Sequence, residues 1–178
     1  MASASRELPD GLDRDRHLTL AGRGHEVVVH RLLVAALAAL AAIALLNVLG
    51  QRASTTSAAG PTAVFDVRAP RTLRGGLIYQ TRFTILARRP IENLHLVLSP
   101  GWFDGLTLNT IEPAPAGEAS RDGRVSLSYG TLDPGTRLVV WMQWQVNPTT
   151  LANRTLEADA FDGGARLAHV RRDLTVLP

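Results

Sequence analysis

Residues Leu32 to Gly50, "LLVAALAALAAIALLNVLG", form an uninterrupted apolar run flanked by Arg31 and Arg52. The nineteen residues carry no charge and one polar side chain, Asn47. As a helix they span about 28 Å, close to the roughly 30 Å hydrocarbon core of a bilayer. Seven Leu, two Val and one Ile together contribute about −3 to −6 kcal/mol on an insertion scale, so membrane insertion is favourable. A soluble core helix carries a polar stripe, and this run is apolar all round. A cleavable signal has a short basic leader and an apolar region of about 7–15 residues. Here 31 residues precede a longer run, although "TSAAG" (Thr56 to Gly60) offers small residues for cleavage. The expectation is an uncleaved signal-anchor, with a helix over 25–50 that includes a membrane span over 32–50.

Arg14, Arg16, Arg23 and Arg31 precede the run, and Arg52, Arg68 and Arg71 follow it. This slight bias places the N-terminus in the cytoplasm and the following domain outside it. The polar, Pro- and Gly-broken residues 1–24 read as a disordered cytoplasmic tail, and residues 51–61, mostly Ser, Thr, Ala and Gly, as a flexible linker. Within the run, Ala35/Ala39 and Ala38/Ala42 are small residues four apart, a spacing that lets helices approach closely in self-association or partner docking.

The chain has no cysteine, which excludes disulfides, thiol catalysis and thiolate metal sites. All nineteen basic residues are arginine, which with the abundant Ala indicates a GC-rich genome such as that of a high-GC bacterium. The absence of lysine excludes Schiff-base and P-loop chemistry. Residues 1–31 carry five Arg and five acids, residues 52–89 seven Arg against Asp66 alone, and residues 90–178 seven Arg against ten acids. Nucleic-acid binding needs basic residues on one face with aromatics to stack on. Phe65, Tyr79 and Phe83, the aromatics of the basic stretch, fall on inward positions, so no nucleic-acid partner is expected.

From Thr62 onward the hydrophobic period becomes two. Phe65 and Val67 share a face, as do Tyr79, Thr81, Phe83 and Ile85, with Gln80, Arg82 and Thr84 opposite. Leu94, Leu96 and Leu98, then Leu106 and Leu108, then Val125, Leu127 and Tyr129, then Leu138, Val140, Met142, Trp144 and Val146 repeat the pattern. "TLEADAFDGGARLAHV" reads as two strands joined by a turn at Asp162-Gly163-Gly164. Half-buried antiparallel strands alternate in this way. Seven or eight short strands over 62–178 predict an all-β fold, an immunoglobulin-like antiparallel sandwich behind one transmembrane α-helix. Residues 61–178 are expected to fold alone.

"FDVRAPRTLRGGLIYQTRFTILARRPIENLHLVLSP" followed by "YGTLDPGTRLVVWMQW" resembles the Ig-like modules related to cell adhesion, the CARDB-type family of bacterial surface proteins. The resemblance covers about residues 63–177 and rests on Gly76, Leu132, Pro134 and Gly135. It departs where such modules carry an Asn-Gly-like turn, here "ARRP", and it occurs once rather than in tandem. It implies a sandwich with a binding or spacer role and transfers no catalytic residue.

Candidate chemistry is sparse. His95 alternates outward, and no H-x-x-x-H or H-E-x-x-H spacing is present. No G-x-S-x-G elbow is present, and Ser126 and Ser128 read as strand hydroxyls. Glu157, Asp159 and Asp162 lie near a hairpin tip, either as a solvated turn or as calcium ligands without EF-hand spacing. "NRT" at Asn153 is a glycosylation sequon only in a eukaryotic secretory pathway. Arg68, Arg71 and Arg74 recur every third residue, which on a polyproline-type helix aligns three guanidinium groups for an anionic group.

In "LVVWMQW" Trp144 joins the core set, while Val139 and Trp141 fall on the polar face as a candidate protein contact. Trp102 and Phe103 in "SPGWFDG" are either a plug at one end of the sandwich or an exposed contact tip. The reading is a non-enzymatic accessory or interaction module, without cofactor or metal, whose partner is another membrane or envelope protein. A module for cell-wall polymer or lipid headgroups is the alternative, with the arginine segment as its cause.

Overall fold

The computed structural model describes residues 24–46 and 51–178 and divides into two compact units, Met1–Leu46 and Asn47–Pro178. The expected tail, Gly24 excepted, and residues 47–50 of the expected span lie outside the described residues. Helix α1 runs from Gly24 to Leu45 and has Glu26 in its first turn, where a carboxylate complements the helix dipole. It is long and apolar enough to cross a membrane. Its Val28, Leu32, Leu37 and Leu40 are exposed, and so are Ala35, Ala38, Ala39 and Ala42.

The second unit is a β-sandwich. Its strands are β1 (Ala53–Ala59), β2 (Ala63–Pro70), β3 (Thr72–Arg74), β4 (Ile78–Ala87), β5 (Ile91–Leu98), β6 (Leu106–Glu112), β7 (Gly117–Arg121), β8 (Arg124–Leu132), β9 (Arg137–Val146), β10 (Ala152–Asp162) and β11 (Ala165–Leu177). One sheet has the order β1-β2-β4-β9-β6 and the other β3-β11-β10-β5-β8-β7. Pairing is antiparallel throughout except between β3 and β11. We call them the five-stranded and six-stranded sheets.

Alternation builds the core as the sequence predicts. Phe65, Val67, Phe83, Ile85, Val140, Met142 and Trp144 of the five-stranded sheet face Leu94, Leu96, Leu98, Leu156, Ala158, Val170 and Leu174 of the other, all buried. The larger of these side chains each contribute about 1.5–3 kcal/mol through removal from water. The two-residue turn Gly163-Gly164 joins β10 to β11, with Asp162 opposite Ala165.

Two expectations are corrected. Residues 51–61 are not a free linker: β1 pairs with β2 from Ala53↔Pro70 to Ala59↔Val64. Its inward positions, Ser54, Thr56 and Ala58, are small, so the segment carries little hydrophobic signal and owes its extended form to the β2 ladder. Gly60 closes that hairpin where any side chain would collide with the Leu167 carbonyl. The seven or eight expected strands become eleven because β1, β3 and β7 are also formed. The last is a hairpin partner of β8 through Asp122-Gly123, both at positive φ, and a two-residue Asp-Gly loop of this kind follows the twist of the strands.

Trp102, offered by the sequence as a plug or an exposed contact, is the plug. It leaves β5 on a 3-10 turn, Pro100–Trp102, and is fully buried. Its ring lies 5.2 Å from Phe83 and 5.6 Å from Trp144, and its indole N–H donates to the Glu157 carbonyl at 3.0 Å. A buried indole needs such an acceptor. Phe103 is half-buried and meets Trp144 edge-on at 5.5 Å. Neither residue is an exposed contact tip.

Two arginines sit in the interior register, Arg154 on β10, opposite Leu174 and with its side chain 9% exposed, and Arg172. Arg172 on β11 is buried and donates to the carbonyls of Val67, Ala69 and Pro70 and to Ser54 across the sandwich. Burial, with Arg71 adding repulsion, lowers its pKa to about 10.

Candidate functional site

Strand register on the outer face of the five-stranded sheet brings together residues far apart in sequence. Thr55 pairs with Arg68, Arg68 with Arg82, Arg82 with Trp141, and Trp141 with Glu112. Directly opposed residues point to the same side, so these five form one row across all five strands. Trp141 stands on β9, beside the centre of the sheet, and remains 39% exposed. The Arg82 guanidinium carbon lies 5.4 Å from the Trp141 ring centroid, within cation–π range. The Nε of Arg82 is buried with no hydrogen-bond partner.

The neighbouring row holds Ser57, Asp66, Thr84 and Val139, with Val139 half-buried. Val139 and Trp141 therefore share the outward face, as alternation predicts, and Arg68 joins them. Arg71 and Arg74 do not. Arg68 lies on β2 and Arg74 on β3, in different sheets, while Arg71 turns between them and donates from Nε to Ser54 Oγ at 3.1 Å. The polyproline alignment of the three arginines is thus overturned, because backbone pairing in both sheets takes up the segment. Arg82 joins the site only through the β4–β9 register, which no local pattern encodes.

The outer face of the six-stranded sheet carries a second polar cluster. Asp159 is buried on β10 and accepts from Arg124 Nη2 at 2.6 Å, with His169 Nδ1 at 2.8 Å from its other oxygen. Arg166 lies 3.8 Å away. Beside this, a groove of about 490 Å³ is lined by His95, Val97, Arg121, Arg124, Ser126 and Phe161. Ser126 Oγ is 3.4 Å from His95 Nδ1, whereas the imidazole on Asp159 is that of His169. A catalytic triad needs one imidazole between hydroxyl and carboxylate, and here the two pairs use different histidines.

The carboxylates that the sequence offered as calcium ligands are dispersed. Asp162 accepts the backbone N–H groups of Glu92 and Asn93 at 3.1 and 2.8 Å, and Glu157 faces Arg171 at 3.9 Å. Among the described residues no group of three or more His, Asp or Glu is arranged to hold a metal.

Two tyrosine hydroxyls are buried without hydrogen-bond partners, on Tyr79 and Tyr129. Desolvation pushes the Tyr129 hydroxyl up to about 12, with Glu118 adding to it, and drives that of Tyr79 further above its ordinary value.

No family model and no curated protein matches the sequence. Among solved structures the chain is similar to a non-cellulosomal cohesin from the hyperthermophilic archaeon Archaeoglobus fulgidus, with a TM-score of 0.38 and 12% identity over 70% of this chain and 92% of that one. It is also similar to the Pseudomonas fluorescens alkylpurine DNA glycosylase AlkC bound to DNA containing an abasic site analog, with a TM-score of 0.32 and 13% identity over 73% of this chain. The chain spans 32% of that glycosylase's length. Likeness at this level carries neither a residue nor an activity across.

Proposed function

We propose that the chain is a single-pass membrane protein, N-terminus inside, whose sandwich lies outside the cytoplasm and acts as a non-catalytic contact module for another membrane or envelope protein. The observation that carries this reading is the Thr55–Arg68–Arg82–Trp141–Glu112 row. Tryptophan and arginine dominate the binding energy of protein interfaces, and here an exposed indole stands 5.4 Å from a guanidinium, with Val139 in the neighbouring row. The CARDB-type resemblance agrees with a binding role.

Two experiments test it. The chain has no native cysteine, so single cysteines at Ser5 and Ser120 report topology directly. In intact cells an impermeant thiol reagent labels Ser120→Cys and spares Ser5→Cys; the opposite pattern reverses the orientation. For the contact face, a photo-crosslinking residue at Val139 forms a discrete protein adduct, and the same residue at Ser128, on the other sheet, does not. Equal adducts from both positions remove the assignment to this face.

A second reading, binding of an anionic cell-wall polymer, is favoured by the Arg121–Arg124 groove on the six-stranded sheet. Retention of purified wall polymer by the full chain, lost on Arg121→Glu, would favour that reading over the first.

A further inference from the structure

Outside α1, the large apolar side chains that stand exposed among the described residues of the sandwich are Leu77 (39%), Ile78 (52%), Trp141 (39%) and Leu151 (66%). Trp141 belongs to the row described above. The other three gather at one end of the sandwich, where two loops lie side by side. Gly76 donates to the Val146 carbonyl at 3.1 Å, and Val146 returns a bond to Leu77 at 2.9 Å. Gly75 approaches the backbone of Pro148 so closely that a Cβ would stand 2.6 Å from its carbonyl oxygen. Leu151 directly precedes β10, whose first residue Ala152 pairs with Val176, and Val176 pairs with Leu73.

The chain enters the sandwich at this same end. β1 begins with Ala53 opposite Pro70, next to Arg71, while Arg74 pairs with Leu177 beside the Leu77 loop. Arg52, Arg71 and Arg74 are exposed. Carboxylates at this end are Asp104, which faces Arg154 at 3.9 Å, and Asp122 on the β7–β8 turn, 3.7 Å from Arg121. The end therefore combines apolar tips with a basic collar, the combination that settles at a bilayer interface carrying anionic lipid.

Seven residues, 46–52, connect the last residue of α1, Leu45, to the first of β1, Ala53. Fully extended, they reach about 25 Å.

We propose that this end is a second membrane-contact surface: Leu77, Ile78 and Leu151 enter the interfacial zone of the bilayer that α1 spans, and Arg52, Arg71 and Arg74 meet lipid phosphates. The proposal rests on the reading of α1 as a membrane anchor.

The full chain is reconstituted in vesicles of phosphatidylethanolamine and phosphatidylglycerol, carrying one environment-sensitive fluorophore on Ile78→Cys, Leu151→Cys, Asp133→Cys or Ala39→Cys. Asp133 belongs to the turn before β9, at the far end of the sandwich. The expected result is a blue shift and quenching by shallow doxyl-labelled lipid at Ile78 and Leu151, quenching by deep doxyl-labelled lipid at Ala39, and neither at Asp133. Quenching at Ala39 with Ile78 and Leu151 behaving like Asp133 overturns the contact surface and leaves the anchor intact. Absence of quenching at Ala39 overturns the anchor, and the proposal with it. Adding Arg74→Glu to Leu151→Cys lowers quenching in these anionic vesicles; an unchanged signal removes the phosphate part of the proposal.

Discussion

Arg172 on β11 donates to the Val67 carbonyl on β2 at 3.1 Å, and this bond crosses from one sheet to the other. The same guanidinium reaches Ala69, Pro70 and Ser54, so a single buried cation ties the β1–β2 hairpin to the six-stranded sheet. Its acceptors, carbonyls and a hydroxyl, all bond the two Nη groups, a spread that suits a planar fork of donors better than a point charge, while Nε is buried without a partner. Arg172→Met removes the donors and leaves several acceptors unpaired. It should destabilise the sandwich, residues 51–178, by about 2–4 kcal/mol in urea unfolding, and Arg172→Lys should recover less than half. A stability equal to that of the parent would show that the clamp contributes nothing.

Strand β1 completes the same arrangement. Removing it by starting the chain at residue 61 deletes the ladder to β2 and the Ser54 acceptors of Arg172. It also bares the edge of β2, and an open strand edge is a template for pairing between chains. The shorter piece should unfold at lower urea than residues 51–178 and self-associate on size-exclusion chromatography. Equal midpoints and a monomeric profile would return residues 51–61 to the role of a linker.

Trp141 and Trp144 lie three residues apart on β9 yet on opposite faces, one 39% exposed and the other fully buried. Trp144→Ala should cost about 3–5 kcal/mol of stability through the cavity it leaves. Trp141→Ala should cost less than about 1 kcal/mol, including the lost contact with Arg82, while weakening capture of the cross-linked partner by about 2 kcal/mol. Similar unfolding losses for the two variants would mean that Trp141 is structural.

Thr81 faces the core on β4, and its hydroxyl is buried without a hydrogen-bond partner. Valine has nearly the same shape and no hydroxyl to desolvate. Thr81→Val is expected to stabilise the sandwich by about 1 kcal/mol, raising Tm by about 4 °C for a domain of this size. A lower Tm would mean that the hydroxyl is bonded in solution.

The two tyrosines of the chain give a pH signature. Both are neutral, folded or unfolded, below about pH 10, the ordinary value for the side chain. Above it the unfolded chain releases protons that the fold retains, because burial raises the hydroxyl of Tyr129 to about 12 and that of Tyr79 further. The two tyrosines therefore lower stability as pH rises from about 10 towards 12; Arg172, whose pKa the fold lowers to about 10, acts in the opposite sense over the same window, one group against two. Phenolate absorbance should stay low in the folded protein over this window and appear on adding denaturant. A phenolate transition near pH 10 in the folded protein would contradict the burial of both hydroxyls.

The sequence by itself determined whatever depends on local periodicity. The uncharged stretch that begins at Leu32 identifies a helix, described to Leu45, with the length and composition to span a membrane, and period-two alternation from Phe65 to Val146 assigns nearly every inward side chain. It also separates Trp141 from Trp144, because a strand turns successive residues to opposite faces. Tertiary structure decided what depends on which strand lies beside which. The small residues of β1 become a strand only because β2 offers a ladder, and the burial of Trp102 depends on a turn that aims it between the sheets. Arg68, Arg82 and Trp141 form one row through the registers of β2, β4 and β9, and Arg172 lies inward because distant carbonyls accept its hydrogen bonds. Pairing partners and register are non-local, fixed by the joint packing of two sheets, and no short window of residues contains them.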